Sequence, residues 1–286
     1  MKNKKLAILL MLISALSFSF MGVMVKNLSH LPFVEAVFFR NVVSVIIAAS
    51  MILYKKIPIV QSKKNLKLLI ARSVIGLMGV TAYFYSIQNM PLADSAILNK
   101  MSPFFVLIFA FILLKERINK YQILTVILAF IGIAFVIKPE LDSNILPSLV
   151  GLGAAITAGL AYTIIRMLSG KEHPTTIVFF FSAISVLVML PLLIIYYVQP
   201  STTDFIYLIL TGVFAAIGQY CLTYSYKFAK ASEVSIYSYA TVIFSAILAY
   251  ILWHENLSFS SIVGILVVLT ASYLNYKVIT KAVLRQ

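Results

Sequence analysis

Acidic side chains are the scarcest feature of this chain: nine Asp and Glu in 286 residues, with charge of either sign on only 11% of positions. A soluble domain carries charge on roughly a quarter of its residues, so this chain cannot cover itself with a water-compatible surface. Cysteine is limited to Cys221, which excludes a disulfide framework and a cysteine-based metal cluster. The three histidines, His30, His173 and His254, show no ligand-type spacing, and no metal or other cofactor is expected. No Walker-type phosphate loop occurs. The nearest glycine cluster, Gly151-Leu-Gly153, lacks the lysine and the preceding strand that a phosphate cradle needs. ATP hydrolysis by this chain is therefore excluded. A membrane-embedded enzyme would need clustered acids or histidines, a Ser/His pair or an HExxH helix, and none of these is present.

What is abundant is apolar length: 62% of the residues are hydrophobic and the mean hydropathy is +1.01. About 20 residues at 1.5 Å rise cross a hydrocarbon core of roughly 30 Å. Ten runs meet that requirement: 6–25, 34–54, 67–88, 92–114, 121–137, 147–168, 175–197, 205–226, 231–252 and 259–276. The runs are continuously apolar without a period of two, so they read as helices and not as barrel strands. The predicted fold is an all-α membrane protein with ten transmembrane helices and almost nothing outside the bilayer. A secretory signal peptide is the alternative for the first run, because Lys2, Lys4 and Lys5 precede it. Its apolar stretch continues to Val25, longer than a signal h-region.

The net charge of +14 is not gathered on a surface that nucleic acid could use. It labels loops instead. With the N-terminus cytoplasmic, eighteen basic residues fall on the inner side, from Lys2 through Lys55, Lys56, Lys63, Lys115, Lys171 and Lys230 to Arg285, against Lys26 and Lys138 outside. The bias predicts both termini in the cytoplasm. Arg40, Arg72 and Lys100 remain, inside spans.

An offset of 139 residues superposes Gly79 on Gly218, Tyr85 on Tyr224, Ser86 on Ser225, Asp94 on Glu233, Ser102 on Thr241 and Glu116 on Glu255. Earlier in each half an offset of 142 brings Pro32 onto Pro174 and Phe38-Phe39 onto Phe180-Phe181. With so few acids, two acidic coincidences at one offset mark a duplication. The expected domains are residues 1–138 and 139–286, each with five helices. Five is odd, so the copies are inverted in the membrane, the architecture that lets many secondary carriers alternate access around a midplane site.

Three stretches of the first half, "EAVFFRNVVSVII", "ARSVIGLMGVTAYFYSI" and "PLADSAILNKMSPFFVLIFAFILLKERI", and their partner "KASEVSIYSYATVIFSAILAYILWHENL" resemble the drug/metabolite transporter superfamily, in its ten-helix form with two EamA-type repeats. The likeness covers nearly the whole chain. It implies a 5+5 inverted-repeat fold, a central cavity, no tightly bound cofactor, and substrates such as amino acids, nucleotide-related metabolites, riboflavin, S-adenosylmethionine or drugs. The first span, "SALSFSFMG", lacks the Trp many such repeats carry.

Candidate substrate-binding residues follow from polar groups at membrane depth. Lys100 lies about 13 Å into its span by helical rise, where a charge costs roughly 2.5–3.5 kcal/mol unless it meets water or a partner. Snorkelling to the headgroups, or a packing pair with Asp94 or Glu35, is the alternative. Asn99 stands beside it, and Pro103 frees a backbone carbonyl that a cavity can accommodate. Arg40 is five residues from Glu35, off the i,i+4 spacing of a helical ion pair, and its planar fork suits a carboxylate or phosphate. With Lys100 it would form an electropositive outer vestibule. Arg72, near its span end, reads as an interface anchor. Tyr83, Gln219, Tyr220, Tyr237 and Tyr239 are further cavity candidates, since buried hydroxyls need partners; for Tyr83, near its span end, an interfacial aromatic belt is the equal alternative. Glu116 and Glu255 read as structural acids, each serving its own half, and Gly76, Gly79, Gly151, Gly153 and Gly159 as sites of close helix approach.

The resulting expectation is a secondary transporter, permease or exporter, in the bacterial cytoplasmic (inner) membrane. Its substrate would be a small amphipathic metabolite, anionic or zwitterionic, such as an amino acid or an S-adenosylmethionine-like solute. Proton or counter-solute coupling and a monomer or weak homodimer fit that expectation; nucleic acid does not. The alternatives are a broad-specificity drug exporter, which lacks the deep carboxylate it would need, and a lipid-headgroup flippase.

Overall fold

The structure, a computed structural model, describes residues 4–115, 120–137, 145–168, 170–228 and 235–284. Glu116 and Glu233 of the repeat comparison lie outside these residues, as do Lys2, Arg117, Lys138, Lys230 and Arg285 of the charge count. Helices occupy the described part of each of the ten predicted spans: α1 (Lys4–Asn27), α2 (Phe33–Lys55), α3 (Leu66–Asn89), α4 (Leu92–Asn99) with α5 (Ser102–Leu114), α6 (Lys120–Ile137), α7 (Leu146–Leu168), α8 (Pro174–Tyr196), α9 (Thr202–Phe228), a 3-10 turn (Ser235–Tyr239) leading into α10 (Ala240–Trp253), and α11 (Phe259–Leu284). Residues such as Ile46, Leu53, Phe111 and Ile194 point outward, whereas Ser14, Ser19, Asn41, Ser86 and Ser182 are buried. Apolar side chains on the outside, with hydroxyls and an amide enclosed among an apolar core, suit a bundle whose solvent is lipid.

The fourth span is two helices, not one. Pro103, in the first turn of α5, has no N–H to offer the Asn99 carbonyl. The Phe104 N–H turns to the Met101 carbonyl at 2.9 Å, so the Lys100 carbonyl is also released from the helical ladder. Tyr239 Oη donates to it at 3.1 Å, and the ninth span is interrupted at this same tyrosine, where the 3-10 turn gives way to α10. The breaks are packed by Ile97, Leu98, Met101, Phe104 and Val242, all buried.

Helix pairing repeats across the two halves. α1 packs on α9 as α3 packs on α7, α2 on α9 as α3 on α8, and α1 on α10 as α5 on α7, while α2·α8 and α6·α11 pair equivalent helices with each other. Exchanging each span for the one five further on leaves these pairings unchanged, as a duplicated five-helix unit requires, although the α1·α3 and α2·α3 contacts have no counterpart of similar extent among the described residues of the second half. Local geometry agrees. Lys115 (φ 55, ψ 31) and His254 (φ 52, ψ 31) are left-handed C-caps, and they stand at the repeat offset. The α6·α11 contact is so close that a Cβ at Gly132 would sit 2.9 Å from the Gly264 carbonyl oxygen and 2.8 Å from Val268 Cγ2.

Two expectations about small and acidic residues are corrected. Gly79, Gly151 and Gly159 do allow close approach, to Thr157, Ser86 and Phe105 respectively, but Gly153 faces open space. Glu255 does not serve its own half. It pairs with Lys26, half-buried at the end of α1, and its Oε2 accepts the Leu92 N–H at 3.2 Å, so it caps the start of α4 across the repeat boundary. Lys26 also donates to the Met90 carbonyl at 2.9 Å and stands over the ring of Trp253.

Carboxylates bind the connecting segments in the same cross-repeat manner. On the lysine-rich face Glu172 accepts hydrogen bonds from Gln61 N at 2.9 Å, Ser62 N at 3.1 Å and Asn65 Nδ2 at 2.9 Å. On the opposite face Glu35 accepts from Val198 N at 2.8 Å and Asp204 pairs with His30. In both places a short connection of one half is fastened to the other.

Candidate functional site

Position along the helices determines which polar residues can meet. Asn99 and Lys100 stand at the α4/α5 break, and α3 brings the Tyr83 side chain within hydrogen-bonding reach of Asn99. Tyr239 arrives from the second half and holds the Lys100 carbonyl. Four of the predicted residues, Tyr83, Asn99, Lys100 and Tyr239, therefore converge. The Lys100 ammonium makes no hydrogen bond or ion pair among the described residues. Asp94 and Glu35, its expected packing partners, are engaged with Ser261 Oγ at 3.1 Å and with Val198 N.

A second group forms around Phe181 of α8. Arg40 Cζ is 5.3 Å from the ring centroid and Arg72 Cζ is 4.0 Å from it, distances at which a cation is attracted by the ring face. Arg40 starts about 10 Å below one end of α2 and Phe181 about 10 Å above the other end of α8, by helical rise, so the guanidinium is directed toward the membrane centre. Arg72 is not an interface anchor. Its guanidinium is turned inward along α3, and Gly76 one turn on makes the space: a Cβ there would lie 3.3 Å from Arg72 Nη1 and 3.2 Å from Phe181 Cε2. Arg40 Nη1 donates to Asn41 Oδ1 at 2.9 Å. Arg40 Nε, Arg72 Nε and Arg72 Nη1 are buried without an acceptor.

Tyr162 of α7 is close enough to Arg40, Arg72 and Tyr83 to interact electrostatically with all three, so the two groups border one region. Sequence reasoning did not single out Tyr162 or Phe181. Phe181 carried a signal, being half of the Phe180-Phe181 repeat match, but nothing in that match pointed to chemistry. Gln219 and Tyr220 stand apart, about 26 Å along α9 from its start. Tyr220 Oη is buried there without a partner, and Tyr237 lies on the exposed side of the 3-10 turn. An open recess of about 350 Å³ between Phe39 and the Tyr197–Phe205 stretch is lined by aromatic, proline and neutral polar residues. With no charged lining it is not part of the cationic interior.

The Glu172 carboxyl, outside the spans, is clearly perturbed. Burial would raise the Glu172 carboxyl, but the hydrogen bonds from Gln61, Asn65 and Ser62 outweigh it and hold the group below its ordinary value of 4.5. It is a fixed anion that organises a connection.

The arrangement is a helical bundle with interrupted spans and inward-turned cations. Comparison with known proteins agrees. The profile of the EamA-like transporter family matches residues 5–138 and again residues 146–277. A pseudopaline exporter of Pseudomonas aeruginosa is 33% identical over 254 residues, covering 88% of this chain and 89% of that protein. An S-adenosylmethionine uptake transporter of Rickettsia prowazekii is 24% identical over 263 residues, covering 91% and 89%. Human solute carrier family 35 member G1 is 24% identical over 277 residues, covering 91% and 76%. A solved crystal structure superposes with a TM-score of 0.68 over 95% of this chain and 96% of that one, at 13% identity, a likeness of fold alone. The family and its named members are transporters and not enzymes. The chain belongs to the EamA-like transporter family and is a multi-pass membrane transporter.

Proposed function

We propose that this protein is a secondary transporter of a small anionic or zwitterionic metabolite in a bacterial cytoplasmic membrane, with both termini on the cytoplasmic side. The units that exchange conformation are the repeats 1–138 and 139–286. The observation that carries the reading is Lys100: a lysine set at a mid-span helix break, next in sequence to Asn99, whose side chain meets Tyr83, and with no acidic partner among the described residues. A charge kept at that depth calls for water or a ligand of opposite sign. The broken spans serve the same end, because irregular backbone at membrane depth belongs where it lines a passage. Relatives named for pseudopaline export and for S-adenosylmethionine uptake support a metabolite as cargo.

The test is transport by the full chain in proteoliposomes, in both directions, with labelled amino acids, nucleosides, vitamins, S-adenosylmethionine and organic cations. Movement of an anionic or zwitterionic solute that Lys100→Ala slows at least tenfold is the expected result. Movement of organic cations alone, unaffected by Lys100→Ala, would overturn the reading.

A further inference from the structure

Three guanidinium N–H-bearing nitrogens of this protein are buried without an acceptor, and all three belong to the two arginines gathered at one ring. Arg40 and Arg72 approach Phe181 at 5.3 and 4.0 Å, so their Cζ atoms are separated by no more than the sum of those distances. A guanidinium is charged at any accessible pH and has five N–H groups but no acceptor. Arg40 satisfies part of its fork with Asn41 Oδ1. Its Nε, and Arg72 Nε and Nη1, are shut away from solvent with nothing to donate to. A buried donor without an acceptor costs roughly 1–3 kcal/mol, more for a charged group, and like charges in proximity add repulsion. The ring offsets part of this through cation–π attraction but offers no acceptor in the plane of either fork.

Among the described residues the acids have structural contacts of their own: Glu35 with Val198 N, Asp94 with Ser261, Glu172 with the 61–65 segment, Asp204 with Ser201 and His30, and Glu255 with Lys26. Gly76 lets the ring and the Arg72 guanidinium lie close against α3, where a Cβ would crowd both. Two fixed positive charges held together and their orphaned donors describe a site whose missing component carries oxygens and negative charge.

We propose that Arg40 and Arg72, held against Phe181, bind the oxyanion portion of the transported solute, and that this solute carries two negative charges, as a dicarboxylate or a phosphate group does. The proposal rests on the transporter reading and adds a charge requirement that Lys100 alone does not impose. A monoanion would leave one guanidinium uncompensated in a low-dielectric interior, whereas a dianion neutralises both. The fork geometry of arginine matches carboxylate and phosphate alike, so the source is decided by experiment.

The test is ligand-dependent thermal unfolding of the full chain in lipid nanodiscs, at constant ionic strength, with succinate, inorganic phosphate, butyrate and the neutral isostere succinamide as probes. Succinate or phosphate should raise Tm at least threefold more than butyrate, with no shift from succinamide; whichever dianion acts identifies the source. Arg72→Gln should abolish the shift and Arg72→Lys should keep part of it, while Lys171→Gln on the surface keeps all of it. Phe181→Leu, which leaves both charges, should weaken the apparent affinity at least fivefold and serves if Arg72→Gln does not fold. Equal shifts from succinate and butyrate, no shift from either dianion, or a full shift in Arg72→Gln or Phe181→Leu would overturn the proposal. The two readings fail separately. Transport of a neutral or monoanionic solute without dianion binding removes the site and keeps the transporter; Arg72-dependent dianion binding without transport of any solute does the reverse.

Discussion

Tyr239 donates its hydroxyl to the backbone carbonyl of Lys100 at 3.1 Å, and these two residues are separated by 139 positions, the same interval that superposes the two repeats. Each stands at the break of its own span, so equivalent points of the duplicated unit touch each other. The bond has a clear local cause, because Pro103 and the shortened turn after Met101 leave the Lys100 carbonyl without a helical donor.

Tyr239→Phe removes that donor and leaves a carbonyl unsatisfied in the bundle. A loss of about 1–3 kcal/mol is expected, read as a lower unfolding temperature in detergent or nanodiscs. Transport should slow as the break loses its cross-repeat support.

Glu172 makes stability pH-dependent in a defined direction. Its folded carboxyl titrates below the ordinary value of 4.5, so its contribution is fully present above that value and is lost as pH falls through the depressed folded pKa. Glu172→Ala should cost about 1.5–3 kcal/mol at pH 7. Glu172→Gln should flatten the decline in unfolding temperature below pH 4.5 relative to the parent chain.

Lys26 and Glu255 are coupled across the repeat boundary. A double-mutant cycle with Lys26→Met and Glu255→Gln should return a coupling of about 0.5–3 kcal/mol, measured by chemical unfolding. Additive losses would mean that the pair contributes through its separate contacts with Met90 and Leu92 alone.

Two glycines should respond with opposite signs. A Cβ at Gly264 would lie 2.5 Å from the Gly132 carbonyl oxygen and 2.6 Å from Val136 Cγ2, so Gly264→Val should destabilise by about 1–3 kcal/mol or more through overpacking. Gly153, in the interior of α7 with nothing nearby, should accept alanine with a gain of about 0.5–1 kcal/mol. Parallel melting curves of the two variants test both.

The spans were legible because a bilayer imposes one length and one chemistry on every crossing segment. The repeat was legible because acids are so few that Glu116 and Glu255 at one offset could not pass for background. The interruption of the fourth span was visible only as Pro103, which signals either a kink or a fresh helix start and does not by itself decide between them; its resolution depends on Tyr239, remote in sequence. Arg72 was misread because its depth was judged from its own Cα. The side chain extends inward, and only Gly76 one turn away hinted at the room made for it. Phe181 could not be told from its neighbours in "VFFFS", because a ring that supports two guanidiniums has the same composition as one that faces lipid. Glu255 was assigned to the wrong half because its partners, Lys26 and Leu92, are set by tertiary packing.

The Glu172 clasp is made of one charge and three neutral donors. Dissolved ions weaken a bond between two exposed charges by screening each from the other, whereas the three donors that hold this carboxylate are neutral. Brine should therefore loosen the seam less than it would loosen a clasp built from an exposed ion pair.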